Sequence, residues 1–310
     1  MSRVSSADGS RAATCSTDDA LTISAPAKIN LYLGVHAQKD ARGYHLVDTV
    51  MIALDLADTL TVRPSDALTV RTVPQTDFPQ EHNTAYKAAV AMGKVFGREP
   101  HFNVLIDKHI PMCAGLGGPS TDAAATIVAL CQFWGIDPHD ERVLGVARSI
   151  GADVPFFLYG MPTYLGGCGD VMCETFQPFT GTPVALVKPW SSRVSTIEAY
   201  RRFDENPVAL PPLEPMLEAL RAHNDDEVLA RVENNLAPAA CGLAPEIGEI
   251  LDWMRQQSGV RVANVCGSGA TVFAICETQE AAEAVSAAAD AHGWWSYAAK
   301  MGERGPSIVE

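Results

Sequence analysis

Up to Thr72 the apolar positions fall into short runs and alternations of strand type. Leu21 to Ser24, Leu31 to Ala37, Leu46 to Leu54, Asp58 to Arg63 and Leu68 to Thr72 each predict a strand, a β-rich opening to the chain. The period then changes. Asn83 to Phe96 repeats apolar residues at helical spacing, with Asn83 as N-cap and Gly97 as stop. Phe102 to Lys108 alternates again as a strand. From Ser120 to Trp134, Ala124, Ile127, Val128, Cys131 and Trp134 share one helical face. Pro138 opens another helix, which the pattern ends at Gly151 in a left-handed cap, directly before Asp153-Val154-Pro155. Thr163 to Gly166 and Val171 to Phe176 predict a hairpin around Gly166-Gly167-Cys168-Gly169-Asp170.

A second unit begins near Thr182. Pro183 to Lys188 predicts a strand, and Ser195-Thr196-Ile197-Glu198 is a capping-box pattern opening a short helix through Phe203. Helices follow at Glu214 to His223, Asp226 to Asn234 and Pro245 to Gln257. Val260 to Val265, Thr271 to Cys276 and Trp294 to Lys300 predict strands, with a helix at Gln279 to His292. The order strand, helices, strand, strand, helix, strand is that of a ferredoxin-like half. The chain therefore divides into a tail over 1–20, rich in Ser, Thr, Asp and Ala and predicted to be disordered, a domain over 21–181 and a domain over 182–310, of α+β class.

Composition narrows the partners. At 47% hydrophobic and 19% charged the chain has ordinary globular material for two cores. A net charge of −14 argues against nucleic acid or an anionic membrane surface as partner. No apolar run approaches the roughly 18 residues of a membrane span, and the tail lacks a signal-peptide core. The eight cysteines, at 15, 113, 131, 168, 173, 241, 266 and 276, form no Cys-x-x-Cys pair and have no histidine pair at zinc spacing. They read as free thiols of a reducing cytoplasm, and no metal site is expected.

The stretch richest in chemistry is Pro111-Met112-Cys113-Ala114-Gly115-Leu116-Gly117-Gly118-Pro119-Ser120-Thr121, between a predicted strand and a predicted helix. Strand, glycine loop and helix N-terminus can present amides and a positive dipole to a phosphate. Ser120 or Thr121 could cap the helix or donate a hydroxyl to a phosphate oxygen. No Gly-Lys-Ser/Thr follows, so this is not a Walker A loop, and serine stands where a dinucleotide fingerprint wants its last glycine. By itself the stretch reads equally as a tight turn into a helix. Lys28 alone reads as a snorkelling lysine and Asp153 as a turn carboxylate. His45 beside Tyr44 reads as strand packing, and Gly267-Ser268-Gly269 as a hairpin turn.

Together, Pro26-Ala27-Lys28-Ile29-Asn30-Leu31, Gly43-Tyr44-His45, the glycine loop, Gly151-Ala152-Asp153-Val154-Pro155 and Gly267-Ser268-Gly269-Ala270-Thr271 closely resemble the motifs of the 4-diphosphocytidyl-2-C-methyl-D-erythritol kinases. These belong to the superfamily of galactokinase, homoserine, mevalonate and phosphomevalonate kinases. The resemblance runs in order from about Ile23 to Lys300. It implies a two-domain fold with a left-handed β-α-β unit in the first domain and a ferredoxin-like second domain. The implied activity is ATP-dependent phosphorylation of the 2-hydroxyl of the diphosphocytidyl alcohol, in the non-mevalonate route to isoprenoid precursors.

The resemblance also implies roles for individual residues. Asp153 would take or align the hydroxyl proton, and Lys28 would hold Asp153 ionised. Pro111 through Thr121 would bind the ATP phosphates with Mg²⁺ bridging them, and no dedicated magnesium carboxylate is evident. Asn83 and Lys108 would contact the adenosine. Tyr44 and Tyr200 would stack on cytosine, His45 would bond its edge, and Asn30 and Thr196 would place the substrate. The chain departs from the pattern at Pro119, where the family usually has a third consecutive glycine. Proline is tolerated in a first helical turn, so the expectation is that the remaining amides carry the phosphates. Another kinase of the superfamily, acting on homoserine or mevalonate, and a non-catalytic nucleotide-binding protein are the alternatives. A base-stacking aromatic argues against the first, and the retention of Lys28 and Asp153 against the second.

Overall fold

Two long strands, β1 (Leu21–Lys39) and β2 (His45–Pro64), pair antiparallel and run through the whole first domain. They replace the four short strands expected from the sequence. Pro26 and the polar stretches near Lys28 and Asp55 interrupt the apolar pattern without ending the strands. The register between them shifts between Pro26 and Lys28, between Asn30 and Tyr32, and between Val35 and Lys39. Bulges of this kind re-aim side chains and accommodate a proline in a paired strand. Here they flank Lys28 and Asn30. The computed structural model describes residues 20–177, 179–191, 194–210 and 212–309. The expected disordered tail therefore lies, but for Ala20, outside the described residues.

The first sheet is completed by β3 (Thr69–Val73) and β4 (Phe102–Asp107), a parallel pair joined through α1 (Thr84–Phe96). Asn83 caps α1 as expected, its Oδ1 accepting from Ala85 N at 2.9 Å, a bond worth about 1 kcal/mol. Gly97 ends the helix in the left-handed region. Then come α2 (Gly118–Trp134), α3 (Glu141–Ile150), α4 (Val154–Tyr159) and the hairpin of β5 (Thr163–Gly166) with β6 (Val171–Thr175). The expected left-handed cap at Gly151 is not there: its φ is −179°, because the chain extends at once into α4. That short helix, too brief to show a period, begins immediately after Asp153.

The second domain runs β7 (Pro183–Lys188), α5 (Thr196–Glu205), α6 (Glu214–Arg221), α7 (Asp225–Leu229), β8 (Glu233–Asn234), α8 (Ala237–Leu243), α9 (Pro245–Arg255), β9 (Val260–Val265), β10 (Val272–Cys276), α10 (Gln279–Ala291), β11 (Trp295–Lys300) and β12 (Ser307–Ile308). The helix expected over Asp226 to Asn234 stops at Leu229. Glu233 and Asn234 instead pair parallel with Tyr32 and Leu33 of β1. The capping box at Ser195 is half realised: Ser195 is the N-cap, but its side chain makes no cap bond. The second sheet has the order β11-β7-β10-β9, all antiparallel, the ferredoxin-like arrangement expected. The chain end returns to the first sheet. Gly302 N donates to Ala53 O at 2.9 Å, and β12 pairs with the start of β1.

Three cores follow from these layers. One lies between the first sheet and α1 to α4, and holds Ile23, Ala25, Met51 and Ala53. The next joins the other face of that sheet, through Ala27, Ile29, Leu31, Val50 and Ile52, to Leu186 and Phe273 of the second sheet. The last covers the far face of the second sheet, with Ala185, Val187 and Ala274 against α5 and α8 to α10. β1 is thus buried on both faces over most of its length, which is why its sequence does not alternate. The cleft between the domains opens at Tyr44, His45, Ala152 and Tyr200, with Lys28 and Asn30 buried on β1.

Candidate active site

The glycine loop is shaped by three left-handed residues, Cys113 (φ 52°), Gly115 (φ 77°) and Gly117 (φ 78°). Two of these glycines are required by what touches them. A Cβ on Gly115 would stand 2.3 Å from Cys266 O and 2.9 Å from Gly269 O, both rigid backbone. A Cβ on Gly117 would stand 2.8 Å from Phe157 and 3.0 Å from Lys28 Cγ. The loop is therefore clamped between domains. Thr271 N donates to Ala114 O at 3.1 Å, Ala270 N to Cys113 O at 3.4 Å, and Lys28 N to Leu116 O at 2.9 Å. Asn234 fixes the opposing glycine turn by donating to Val265 O at 2.8 Å and Gly267 O at 2.9 Å.

α2 starts two residues earlier than the sequence suggests, with Gly117 rather than Ser120 or Thr121 as its N-cap. The amides of Ser120 and Thr121 both donate to Gly117 O at 2.9 Å. Helical geometry leaves the Gly118 amide free of an intrahelical partner and makes a donor at Pro119, on the first turn, dispensable. The Pro119 carbonyl accepts from Thr84 Oγ1. Pro111, Met112 and Cys113 are open to solvent or partly so, whereas Ala114, Leu116 and Gly118 are buried. Thr121 is fully buried with its hydroxyl unpartnered, and Ser120 faces Gly151.

Lys28 Nζ donates to Asn30 Oδ1 at 2.7 Å and stands 3.5 Å from Asp153 Oδ2. Positions i and i+2 of a strand share a face, so β1 itself brings Lys28 and Asn30 together. Asn30 Nδ2 in turn donates to Thr49 Oγ1 at 2.9 Å, which fixes its amide. Lys28 is 4% exposed at its side chain and Asp153 30%, so the carboxylate is the member of the pair that faces the cleft. Asp153 is the N-cap of α4 but makes no side-chain cap bond, so its carboxylate is not spent on the helix end. Cys266 closes the floor, with Sγ 3.3 Å from Gly115 O and 3.5 Å from Lys28 O, and burial pushes its thiol up. Only its place before Gly267 marked it in the sequence.

Beside this pair lies a cavity of about 710 Å³, lined by Tyr44, His45, Cys168, Thr196, Tyr200 and Asp204, with Gly151 and Ala152 along one side. Of the five residues expected to meet the substrate, Tyr44, His45, Thr196 and Tyr200 line this cavity and Asn30 does not. His45 Nδ1 donates to His36 O at 2.6 Å, and its ring stands 5.3 Å from that of Tyr200. Tyr44 is 63% exposed, and the Arg42 guanidinium lies 5.3 Å from its ring centre. Thr196 Oγ1 and Ser268 Oγ are 3.0 Å apart, joining α5 to the second glycine turn. Sequence reasoning missed Asp204. It bonds Lys39 at 2.7 Å and stands 3.1 Å from His45 Nε2, and Lys39 chiefly holds its carboxyl below the usual range. Burial pushes the Tyr200 phenol up.

Asn83 and Lys108 stand on the other side of the loop. Asn83 lines a separate cavity of about 580 Å³, with Val73, Phe78 and Leu105 among its walls. Lys108 is turned inward, its ammonium bonded to Asp58 and, at 2.7 Å, to Asp122. Burial works to lower the Lys108 pKa, but the two carboxylates outweigh it and the net direction is up. Asp122, more deeply buried, is pushed up to about 7, chiefly by desolvation. Among the described residues no group of three or more His, Cys, Asp or Glu side chains gathers to hold a metal ion, and no helix is long and apolar enough to cross a membrane.

Fold and site define an ATP-dependent phosphotransferase. The chain matches "GHMP kinases N terminal domain" over residues 83–161 and "GHMP kinases C terminal" over residues 216–293. It is 35% identical over 286 residues to the 4-diphosphocytidyl-2-C-methyl-D-erythritol kinase of Cereibacter sphaeroides, covering 89% of this chain and 98% of that one. A solved 4-(cytidine 5'-diphospho)-2C-methyl-D-erythritol kinase superposes with a TM-score of 0.73 at 32% identity, covering 91% of this chain and 99% of the other. A homoserine kinase from Cytophaga hutchinsonii superposes at 0.75 with 20% identity over 95% of this chain and 99% of the other, a likeness of fold. The chain belongs to the GHMP kinases.

Proposed function

We propose that the protein transfers the γ-phosphoryl group of ATP to the 2-hydroxyl of 4-diphosphocytidyl-2-C-methyl-D-erythritol, a step of the non-mevalonate route to isoprenoid precursors. The observation that carries this reading is the juxtaposition of an aromatic cavity with a lysine–aspartate pair. Tyr44, His45 and Tyr200 line a cavity large enough for a nucleotide, and Ala152 on its wall adjoins Asp153. A flat ring recognises a base by stacking, and an unmodified amino acid or a simple acid would have no use for these walls. The names of the relatives support the same substrate.

The chemistry follows from positions already described. The substrate hydroxyl approaches Asp153, its oxygen attacks the γ-phosphorus, the bond to the β,γ-bridging oxygen breaks, and ADP leaves. The hydroxyl proton goes to Asp153. Lys28, 3.5 Å from that carboxylate and braced by Asn30, stabilises the negative charge that develops on the attacking oxygen. The amides of the glycine loop and the N-terminus of α2 would receive the phosphates, and alignment supplies most of the acceleration in phosphoryl transfer. The cavity at Asn83 would take the adenine, with Lys108 acting through the loop above it. Among the described residues no cluster of carboxylates offers Mg²⁺ a protein cage. Mg²⁺ would be held by the nucleotide's phosphate oxygens, where it neutralises charge.

The deciding experiment supplies ATP and Mg²⁺ with the diphosphocytidyl alcohol, homoserine or mevalonate in turn and follows ADP. Turnover with the first alone is expected. Turnover with either of the others instead would overturn the substrate reading.

A further inference from the structure

We propose that Asp58, Lys108 and Asp122 form a positioning chain that ties the two ends of the glycine loop together and holds it in the shape that receives a nucleotide. The inference rests on reading that loop as the phosphate site. Asp58, on β2, is completely buried. Its Oδ1 accepts from His109 N at 2.6 Å and Ile110 N at 2.8 Å, the two amides that lead into the loop. Its Oδ2 accepts from the Lys108 ammonium. That ammonium also donates at 2.7 Å to Asp122 Oδ2, on the first turns of α2, where the loop ends. A Cβ on Gly118 would lie 3.5 Å from Lys108 Nζ, so only backbone separates the ammonium from the loop above it.

Two features argue for positioning over mere packing. Burying three charges is a poor route to stability, since well-packed apolar side chains of the same volume do as well or better. What a hydrogen-bonded chain of this kind provides is fixed geometry, and it provides it between residues far apart in sequence. The ammonium is also fully committed: carboxylates flank it on both sides and its side chain is 13% exposed. It serves the nucleotide through the backbone it braces, not by touching the phosphates. Asp122 is only half satisfied: among the described residues its buried Oδ1 has no hydrogen-bond partner. An aspartate tolerated at that cost is consistent with a role for its other oxygen.

The test compares Asp58→Asn with wild type in nucleotide titration calorimetry, steady-state kinetics and hydrogen exchange of residues 109–121, all well below the melting temperature. The expected result is a rise of tenfold or more in the ATP Kd and KM, a fall in kcat of less than threefold at saturating ATP, and faster exchange confined to the loop. Lowered thermal stability with unchanged ATP affinity and unchanged loop exchange would overturn the proposal. Should Asp58→Asn not fold, Asp122→Asn, which keeps the side-chain shape, is read in the same way. If wild type binds no ATP, the phosphate-site reading fails, and the loop exchange still decides whether the chain positions the loop.

Discussion

Lys28 Nζ hydrogen-bonds Asn30 Oδ1 at 2.7 Å but stays 3.5 Å from Asp153 Oδ2, so the lysine is braced on its own strand and the carboxylate is left free to meet a hydroxyl. Asp153→Asn removes the proton acceptor without changing shape. A kcat lower by about 10²- to 10⁴-fold is expected, with ATP affinity within twofold of wild type. Unchanged turnover would remove Asp153 from the chemistry.

Gly115 is one of the points at which the two domains meet backbone to backbone. In Gly115→Ala the new Cβ would lie 2.3 Å from Cys266 O at a φ of 77°, so strain and a clash add. A cost of about 2–4 kcal/mol is expected, a fall in Tm of roughly 5 °C or more. Gly43→Ala is the control: φ is 87° there but nothing lies within 4 Å, so only the strain remains. Equal melting shifts for the two variants would contradict the domain clamp.

Much of the candidate site was legible in the sequence because its residues sit in short motifs whose members are neighbours. Lys28 and Asn30 share a strand face, and Tyr44 and His45 lie together at the start of β2. Asp204 was not legible, since it reaches His45 only because α5 of the second domain folds over the first. Nor was the inward turn of Lys108 toward Asp58 and Asp122, residues respectively 50 before and 14 after it. The same limit applies to the fold. Alternation fails for a long strand buried on both faces, so β1 and β2 were read as fragments, whereas α1, with one face on a core, and the strands of the second sheet, short apolar runs bounded by turn residues, were read nearly to the residue.

Tyr200 faces the cavity from α5 and its ring lies 5.3 Å from that of His45. Tyr200→Ala should weaken a stacked base by about 1 kcal/mol or somewhat more. The KM for the diphosphocytidyl alcohol is expected to rise about tenfold and the KM for ATP to stay put. A rise in the ATP KM instead would mean that this cavity holds the adenine.

Pro119 occupies the first turn of α2, where a backbone donor has no helical partner. Pro119→Gly restores an N–H but loosens the start of the helix, at a cost of about 0.4–1 kcal/mol. The ATP KM should move less than tenfold in either direction, with Tm slightly lower. A fall in KM of tenfold or more would show that the missing amide had limited phosphate binding.

Asp122 gives stability a pH dependence whose sign is fixed by burial. Desolvation raises its folded pKa to about 7, above the usual aspartate value near ~3.9. A raised carboxyl contributes stability that is fully present below the unfolded value and is lost as pH rises through the folded one. The relevant window therefore runs from about pH 4 to about pH 7, and the charged form is the less tolerated one. Asp122→Asn removes this titration with little change of side-chain shape. In melts at fixed ionic strength, the Tm of wild type minus that of the variant should shrink between about pH 4 and pH 7 and level off above that. A difference that stays constant or grows across that range would show that Asp122 is ionised throughout, held so by Lys108 in spite of its burial.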